Sequence, residues 1–242
     1  LYWGMNRSTA WYRRLDWWFV LILFAALATR ILYLNHYRSL PDWSQLKVDH
    51  WYLHHWAQSL AGGNLVGDTT YFRAPLYAYL LGLLYAVFGD SLWIARLFGL
   101  AVGLMTLTLI YLCAHRAFGR TSGIVAASLY AIYPITIYFE SEILADPLFA
   151  LLLLAAIHCL LAWQERRTLG SLTLTAILIG FAAITRPTIL VLVPFLIVWL
   201  SFSAGSHRKR VETISVILAG LAIVIAPIFV RNLVVARDPV LI

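Results

Sequence analysis

Four acidic residues stand where a chemical step could use them. Asp49 heads the segment VDHWYLHHWAQSLAGGN, and Glu140, Glu142 and Asp146 crowd into YFESEILADP. An ionised carboxylate can take the proton of a hydroxyl that is forming a bond. Asp49 is expected to cap the N-terminus of a short aromatic helix closed by Gly62 and Gly63. A carboxylate there lies beside free backbone N–H groups and the positive helix end, which keeps it charged. The plain alternative is a cap with no further role. Three carboxylates in one short connection repel one another unless a cation stands among them. Arg73, Arg96, Arg186 and Arg231 are candidates, and guanidinium groups also suit a phosphate whose charge is growing. A divalent cation held by Glu140 and Asp146 would relieve the repulsion too, and the alternative is a solvated acidic loop. His50 and His54 have the i,i+4 spacing of a metal pair, but no third ligand is fixed by spacing, so a polar interfacial role is the better reading. No glycine-rich phosphate loop follows a strand and no Walker pattern occurs, so no nucleotide cofactor is expected.

The elements that must hold these residues are set by composition. Of 242 residues, 62% are hydrophobic and 12% charged, too few charges to coat a soluble globule of this size, so lipid must be the main solvent. A net charge of +7 would suggest nucleic acid in a soluble protein, but here the basic residues sit in short loops between apolar runs and report orientation, so no nucleic-acid partner is expected. Cys113 and Cys159 lie inside apolar segments and read as small core residues rather than a disulfide or a thiolate site. The first long apolar run lacks a clean cleavage site and reads as an uncleaved span. The chain begins at Leu1 rather than Met and stops at Ile242, so sequence is expected to be missing at both ends, including a C-terminal part.

A crossing takes about 20 apolar residues. About seven segments qualify, over 17–35, 91–113, 121–138, 147–163, 169–185, 188–204 and 213–230. Arg186-Pro187 divides one long apolar run into two helices, because proline disfavours helix at the residue before it. The apolar stretch 75–89 is short and ends in a Gly-Asp turn signal; it is expected to lie at the interface inside a first outer loop over 36–90, alongside the aromatic helix that follows Asp49. With that choice the basic clusters around Arg7/Arg13/Arg14, Arg116/Arg120, Arg166/Arg167 and Arg208/Lys209/Arg210 all face the cytoplasm, and the acids and isolated arginines collect on the outer side. Charges at helix ends there are expensive without a polar cavity, although Arg30 and Arg96 could simply snorkel to the interface. The expected fold is all-α: one polytopic transmembrane bundle with interfacial juxtamembrane helices and no separable soluble domain.

The order of segments resembles the dolichyl-phosphate-mannose protein mannosyltransferase superfamily of GT-C membrane glycosyltransferases (glycosyltransferase family 39-like), with its bacterial aminoarabinose-transferase relatives. The residues that carry the resemblance are Asp49 with the run after it, FRAPLYAYLLGLLYAVFGDSLWIARLFG from Phe72 to Gly99, and FGRTSGIVAASLYAIYPITIYFESEILADPLF from Phe118 to Phe149. ITRPT from Ile184 to Thr188 and Arg231-Asn232 complete it. The resemblance implies a sugar moved, usually with inversion, from a polyprenyl phosphate to a hydroxyl on a protein, lipid or glycan acceptor. It further implies catalytic roles for Asp49 and Asp146, phosphate contacts from Arg73, Arg186, Arg231 and Arg96, and a site on the outer face of a membrane such as the bacterial inner membrane. The sequence departs from its relatives at Arg73-Ala74-Pro75, where they often carry Glu-Lys-Pro-Pro or Arg-Pro-Pro. The competing readings are a small-solute or lipid transporter, which should show an internal repeat that is not found here, and a non-catalytic scaffold, in which the outer acids would be dispensable.

Overall fold

In the computed structural model, residues 16–203 and 205–242 are described. Arg7, Arg13 and Arg14 of the first basic cluster, and residue 204 at the end of the sixth expected span, lie outside the described residues. Ten α-helices follow one another among the described residues: α1 Trp17–Tyr37, α2 Val48–Ala61, α3 Leu76–Phe88, α4 Leu92–Phe118, α5 Arg120–Ile132, α6 Pro134–Ser141, α7 Asp146–Arg166, α8 Leu169–Ala183, α9 Val193–Ser203 and α10 His207–Arg231. Short 3-10 turns at Pro41–Trp43 and Pro187–Leu192 and a π turn at Asn232–Ala236 join them or trail them.

Four helices among the described residues (α1, α4, α7 and α10 with its extension) are long and apolar enough to cross a bilayer, and α5 with α6 makes a fifth if the bent pair is one span. The chain is a multi-pass integral membrane protein. Its outward faces agree: Trp17, Phe24, Phe195, Phe202 and Ile223 are each at least 64% exposed, which only lipid tolerates on this scale. The segment expected as one span over 121–138 is two helices bent by 60°, because Pro134 cannot continue the α5 ladder and instead opens α6 at its first turn. The segments expected at 169–185 and 188–204 appear as α8 and as a 3-10 turn leading into α9, both shorter than the four long helices.

The core falls into three parts. Helices α7 to α10 pack around Leu172, Ala176, Ile217 and Leu221. Helices α2, α3 and α4 pack around Leu53, Ala57, Tyr77, Leu81 and Ala95, together with Ile143 and Leu148 on either side of Asp146. Helices α1, α4 and α5 meet at Ala26, Leu107 and Ala127. Helix α4 is shared by the last two, and small residues permit the closest approaches: a Cβ on Gly99 would lie 2.0 Å from the Glu140 carbonyl oxygen, and one on Gly103 2.2 Å from its carboxylate.

Polar ties sort the helix ends into two groups. Asp16 with Arg120, Arg116 with Glu165, Arg167 with the Ser203 carbonyl, and Arg210 with the Ser201 carbonyl join ends at one pole. Tyr37 with Glu142, Arg186 with Asp146, and Arg231 with the 66–69 backbone join ends at the other. Helix α1 runs from Trp17, capped by Asp16, to Tyr37, about 30 Å at 1.5 Å per residue, so the poles are opposite. Both ends of α3 belong to the second pole: Leu76 N–H donates to the Ile184 carbonyl, while Asp90, just beyond its C-terminus, accepts from Gln58 of α2. Helices α2 and α3 thus form a hairpin lying over that pole.

Candidate active site

Asp49 lies in the first turn of α2, whose N-cap position is Lys47; its side chain makes no capping bond and is instead held by Arg73 at 2.6 Å. The expected capping role is therefore corrected: the carboxylate points away from the helix axis to a guanidinium on the connection that leads into α3. Asp146 opens α7 with Pro147 behind it, as the helix dipole and the fixed proline φ favour. Its Oδ2 accepts from Arg186 at 2.5 Å. Arg186 is extended, with φ −145° and ψ 107°, the conformation that Pro187 imposes on its neighbour, and this ends α8 and turns the guanidinium towards α7.

These two ion pairs face one cleft of about 200 Å³, whose walls include Asp49, Arg73, Asp146, Arg186, Thr185 and Thr188, with Leu53 and Leu144. All four charged side chains are between 36% and 48% exposed, so water or a substrate reaches them. Leu53, one turn after Asp49, and Ile143 and Leu148, flanking Asp146, belong to the same core; packing beneath the cleft fixes the two acid-bearing helix starts against each other. Next in sequence after the Arg186-Pro187 break, Ile189, Leu192, Val193 and Leu196 line an apolar cavity of about 210 Å³ with residues of α7 and α8.

The other acids are spent elsewhere. Glu140 is 2% exposed and takes a two-pronged contact from Arg30, Nε to Oε2 at 2.6 Å and Nη2 to Oε1 at 3.1 Å, with the Tyr130 hydroxyl donating at 2.8 Å. Glu140 and Asp146, expected to share a metal, are each met by their own arginine, and Glu140 is not part of the cleft wall. Among the described residues no group of three or more His, Cys, Asp or Glu is placed to hold a metal ion; the residues present do not fit one. His50 and His54 also diverge, His50 to Glu142 at 3.0 Å and His54 to the Tyr85 hydroxyl at 2.7 Å. Glu142 is buried, which on its own would raise its pKa, but the hydrogen bonds from His50 and Tyr37 prevail and hold the carboxyl below its usual range. Burial pushes the His54 imidazole down, keeping it neutral.

Two of the four expected phosphate arginines are not in the cleft. Arg96 is fully buried, its guanidinium lying 4.2 Å from the Trp43 ring centre and 4.9 Å from that of Tyr37 and donating to the Ser141 and Trp43 carbonyls. It braces α4 against α1 and the outer connection and is not part of the cleft wall. Arg231 donates to the Val66 and Thr69 carbonyls and to Asn232, and lies over the Tyr71 ring at 3.8 Å. It borders a separate pocket of about 280 Å³.

The sequence model of one protein family, the dolichyl-phosphate-mannose-protein mannosyltransferases, matches residues 72–231. The chain belongs to this family. The chain is therefore a membrane glycosyltransferase that uses polyprenyl-phosphate sugars as donors rather than nucleotide sugars. The matched region of this mannosyltransferase-family chain contains Arg73, Asp146 and Arg186 but starts beyond Asp49, whose place at the site comes from geometry. No curated protein and no solved structure matches the chain.

Sequence reasoning missed the partner of Arg30, the His50–Glu142 pair and the pocket beside Arg231. The i,i+3 and i,i+4 aromatic spacing of Trp51, Tyr52, His55 and Trp56 was the one available signal for the last.

Proposed function

We propose that the cleft is where the sugar changes hands, with Asp49 as the base and Arg73 and Arg186 as the phosphate contacts. In this reading the acceptor hydroxyl gives its proton to Asp49 as its oxygen bonds to the anomeric carbon from the face opposite the phosphate. The bond from that carbon to the phosphate oxygen breaks with its electron pair, leaving a lipid phosphate and an inverted glycoside. The growing phosphate charge is met by arginines already in place, which lowers the barrier without reorganisation. Asp146 holds Arg186 in position. The apolar cavity behind Pro187 suits the first part of the polyprenyl tail, which is as apolar as the side chains around it.

The observation that carries the reading is that Asp49 and Asp146, about a hundred residues apart in sequence, face one cleft, each with an arginine. We take the protein to cross the membrane seven times, counting α5 with α6 as one span and α8 and α9 as short ones, with the cleft on the outer face because the basic loops gather at the opposite pole. The acceptor is a protein, lipid or glycan hydroxyl, and the bacterial inner membrane is the proposed setting.

The test is release of carrier from a panel of polyprenyl-phosphate sugars by membranes holding the full-length protein. Asp49→Asn is expected to slow release by roughly 10² to 10⁴, the usual contribution of a general base, with Asp146→Asn weaker in donor binding. Undiminished release by both variants would refute the assignment.

A further inference from the structure

The second pocket has a chemistry unlike that of the cleft. Trp51, Tyr52, His55 and Trp56 occupy successive turns of α2, and Asp68 and Tyr71 come from the connection to α3. Trp56 and Tyr71 meet at 5.0 Å between ring centres, and His55 stacks on Trp51 at 4.2 Å. Asp68 is exposed and has no hydrogen-bond or ion-pair partner among the described residues, unlike Asp49 and Asp146. His55 Nδ1 is bound to the Trp51 carbonyl at 2.8 Å, which requires the proton on that nitrogen and leaves Nε2 as an acceptor. Arg231, the one cation at the border among the described residues, commits four of its five N–H groups to Val66, Thr69 and Asn232.

What the pocket offers is therefore aromatic surface, the acceptors of Asp68 and His55, and the indole N–H and hydroxyl groups of Trp51, Trp56 and Thr69. An anion finds the unpaired Asp68 carboxylate and a guanidinium with a single uncommitted N–H; a cation finds the fixed charge of Arg231. A neutral ring with apolar C–H faces and outward hydroxyl donors satisfies both features, and the volume of about 280 Å³ suits one sugar ring rather than a chain of them. The pocket also adjoins the cleft. Tyr52 lies one turn after Asp49 on α2, and its ring meets that of Phe72 edge-on at 5.6 Å, while Tyr71 faces the pocket and Arg73 the cleft. The Tyr52–Phe72 contact thus ties the two segments together where each carries both pocket-lining and cleft-lining residues.

We propose that this pocket binds a neutral, hydroxyl-rich sugar ring of the acceptor, placing a neighbouring hydroxyl at Asp49; the acceptor is a glycan. Assigning the ring to the acceptor rests on the cleft being the site of transfer, whereas sugar binding in the pocket does not. The test is saturation-transfer NMR on the full-length protein in nanodiscs, with methyl hexopyranosides and a neutral serine-containing tripeptide as probes. Saturation of the hexoside ring protons is expected, with affinity weakened at least about tenfold by Asp68→Asn and by Trp51→Ala, as for loss of a hydrogen bond to a charged group. Both positions are exposed, so these variants are expected to fold. No hexoside signal, a signal indifferent to Asp68→Asn and Trp51→Ala, or transfer to the tripeptide alone would overturn the proposal. Carrier release without hexoside binding would sink the pocket and leave the catalytic reading standing; hexoside binding without carrier release from any donor would do the reverse.

Discussion

Replacing Glu140 by Gln should unsettle the fold without touching the cleft. Arg30 and Glu140 are each about 2% exposed at the side chain, and removing one partner of such a buried pair typically costs about 3–5 kcal/mol, because the remaining charge is stranded. Gln has the size of Glu, so no cavity opens beside Gly103 and the loss is electrostatic. Arg30 keeps the Ala26 and Ala131 carbonyls at 3.2 and 3.1 Å, which places the expected loss at the lower end, about 3 kcal/mol. Removing both charges, Arg30→Met with Glu140→Gln, should recover much of it. Asp146→Asn breaks a pair whose side chains are 36% and 47% exposed, and should cost no more than about 1 kcal/mol. Unfolding of the purified protein in mixed micelles, titrated with denaturing detergent and compared across the parent, these three variants and Arg30→Met alone, measures all of these. A Glu140→Gln protein within about 0.5 kcal/mol of the parent, or additive effects in the double variant, would refute the argument that this pair is a structural lock.

Two other outcomes are expected. Gly103→Ala should lower stability by about 2 kcal/mol in the same titration, because its Cβ would sit 2.2 Å from the Glu140 carboxylate, and overpacking outweighs the better helix propensity of alanine; a more stable variant would contradict this. Asp16 is pulled from its ordinary 3.8 to about 2, chiefly by its hydrogen bonds with Arg120, against the effect of burial and with help from Tyr111. A carboxyl whose pKa is lower folded than unfolded adds stability above its unfolded value. That stability fades as pH falls from about 3.8 through about 2. The thermal midpoint should therefore drop more steeply over that range for the parent than for Asp16→Asn, and parallel curves would exclude the effect.

Long helices were readable because a crossing demands some twenty apolar residues, and Trp17–Tyr37 and Leu92–Phe118 announce themselves on that ground alone. The break at Arg186-Pro187 was equally plain, since proline with a polar residue interrupts an apolar run. Pro134 was not read as a break, because the residues around it, Tyr133, Ile135 and Ile137, are apolar on both sides. At the site, the sequence singled out Asp49, Asp146, Arg73 and Arg186, and the fold gathers all four. It did not reveal which arginine serves which acid. Arg30 and Glu140 are 110 residues apart, and only the glycine-lined approach of α6 to α4 makes them partners. Arg96 and Arg231 looked equivalent to Arg73 and Arg186 by type and side, but neighbouring carbonyl groups, invisible to composition, had already claimed them.

The hydrogen bond from Leu76 N–H to the Ile184 carbonyl, 3.0 Å long, carries a mechanical consequence. It rivets the stretch bearing Arg73 to the stretch bearing Arg186, so the two guanidinium groups ride on one lever. Lifting the hairpin of α2 and α3 off the bundle must first break this bond, worth about 1 kcal/mol, before the spacing of the two guanidinium groups changes. In the proposed reading of the cleft, the spacing that would receive an anion is tied to this one bond, and altering it would change both jaws together.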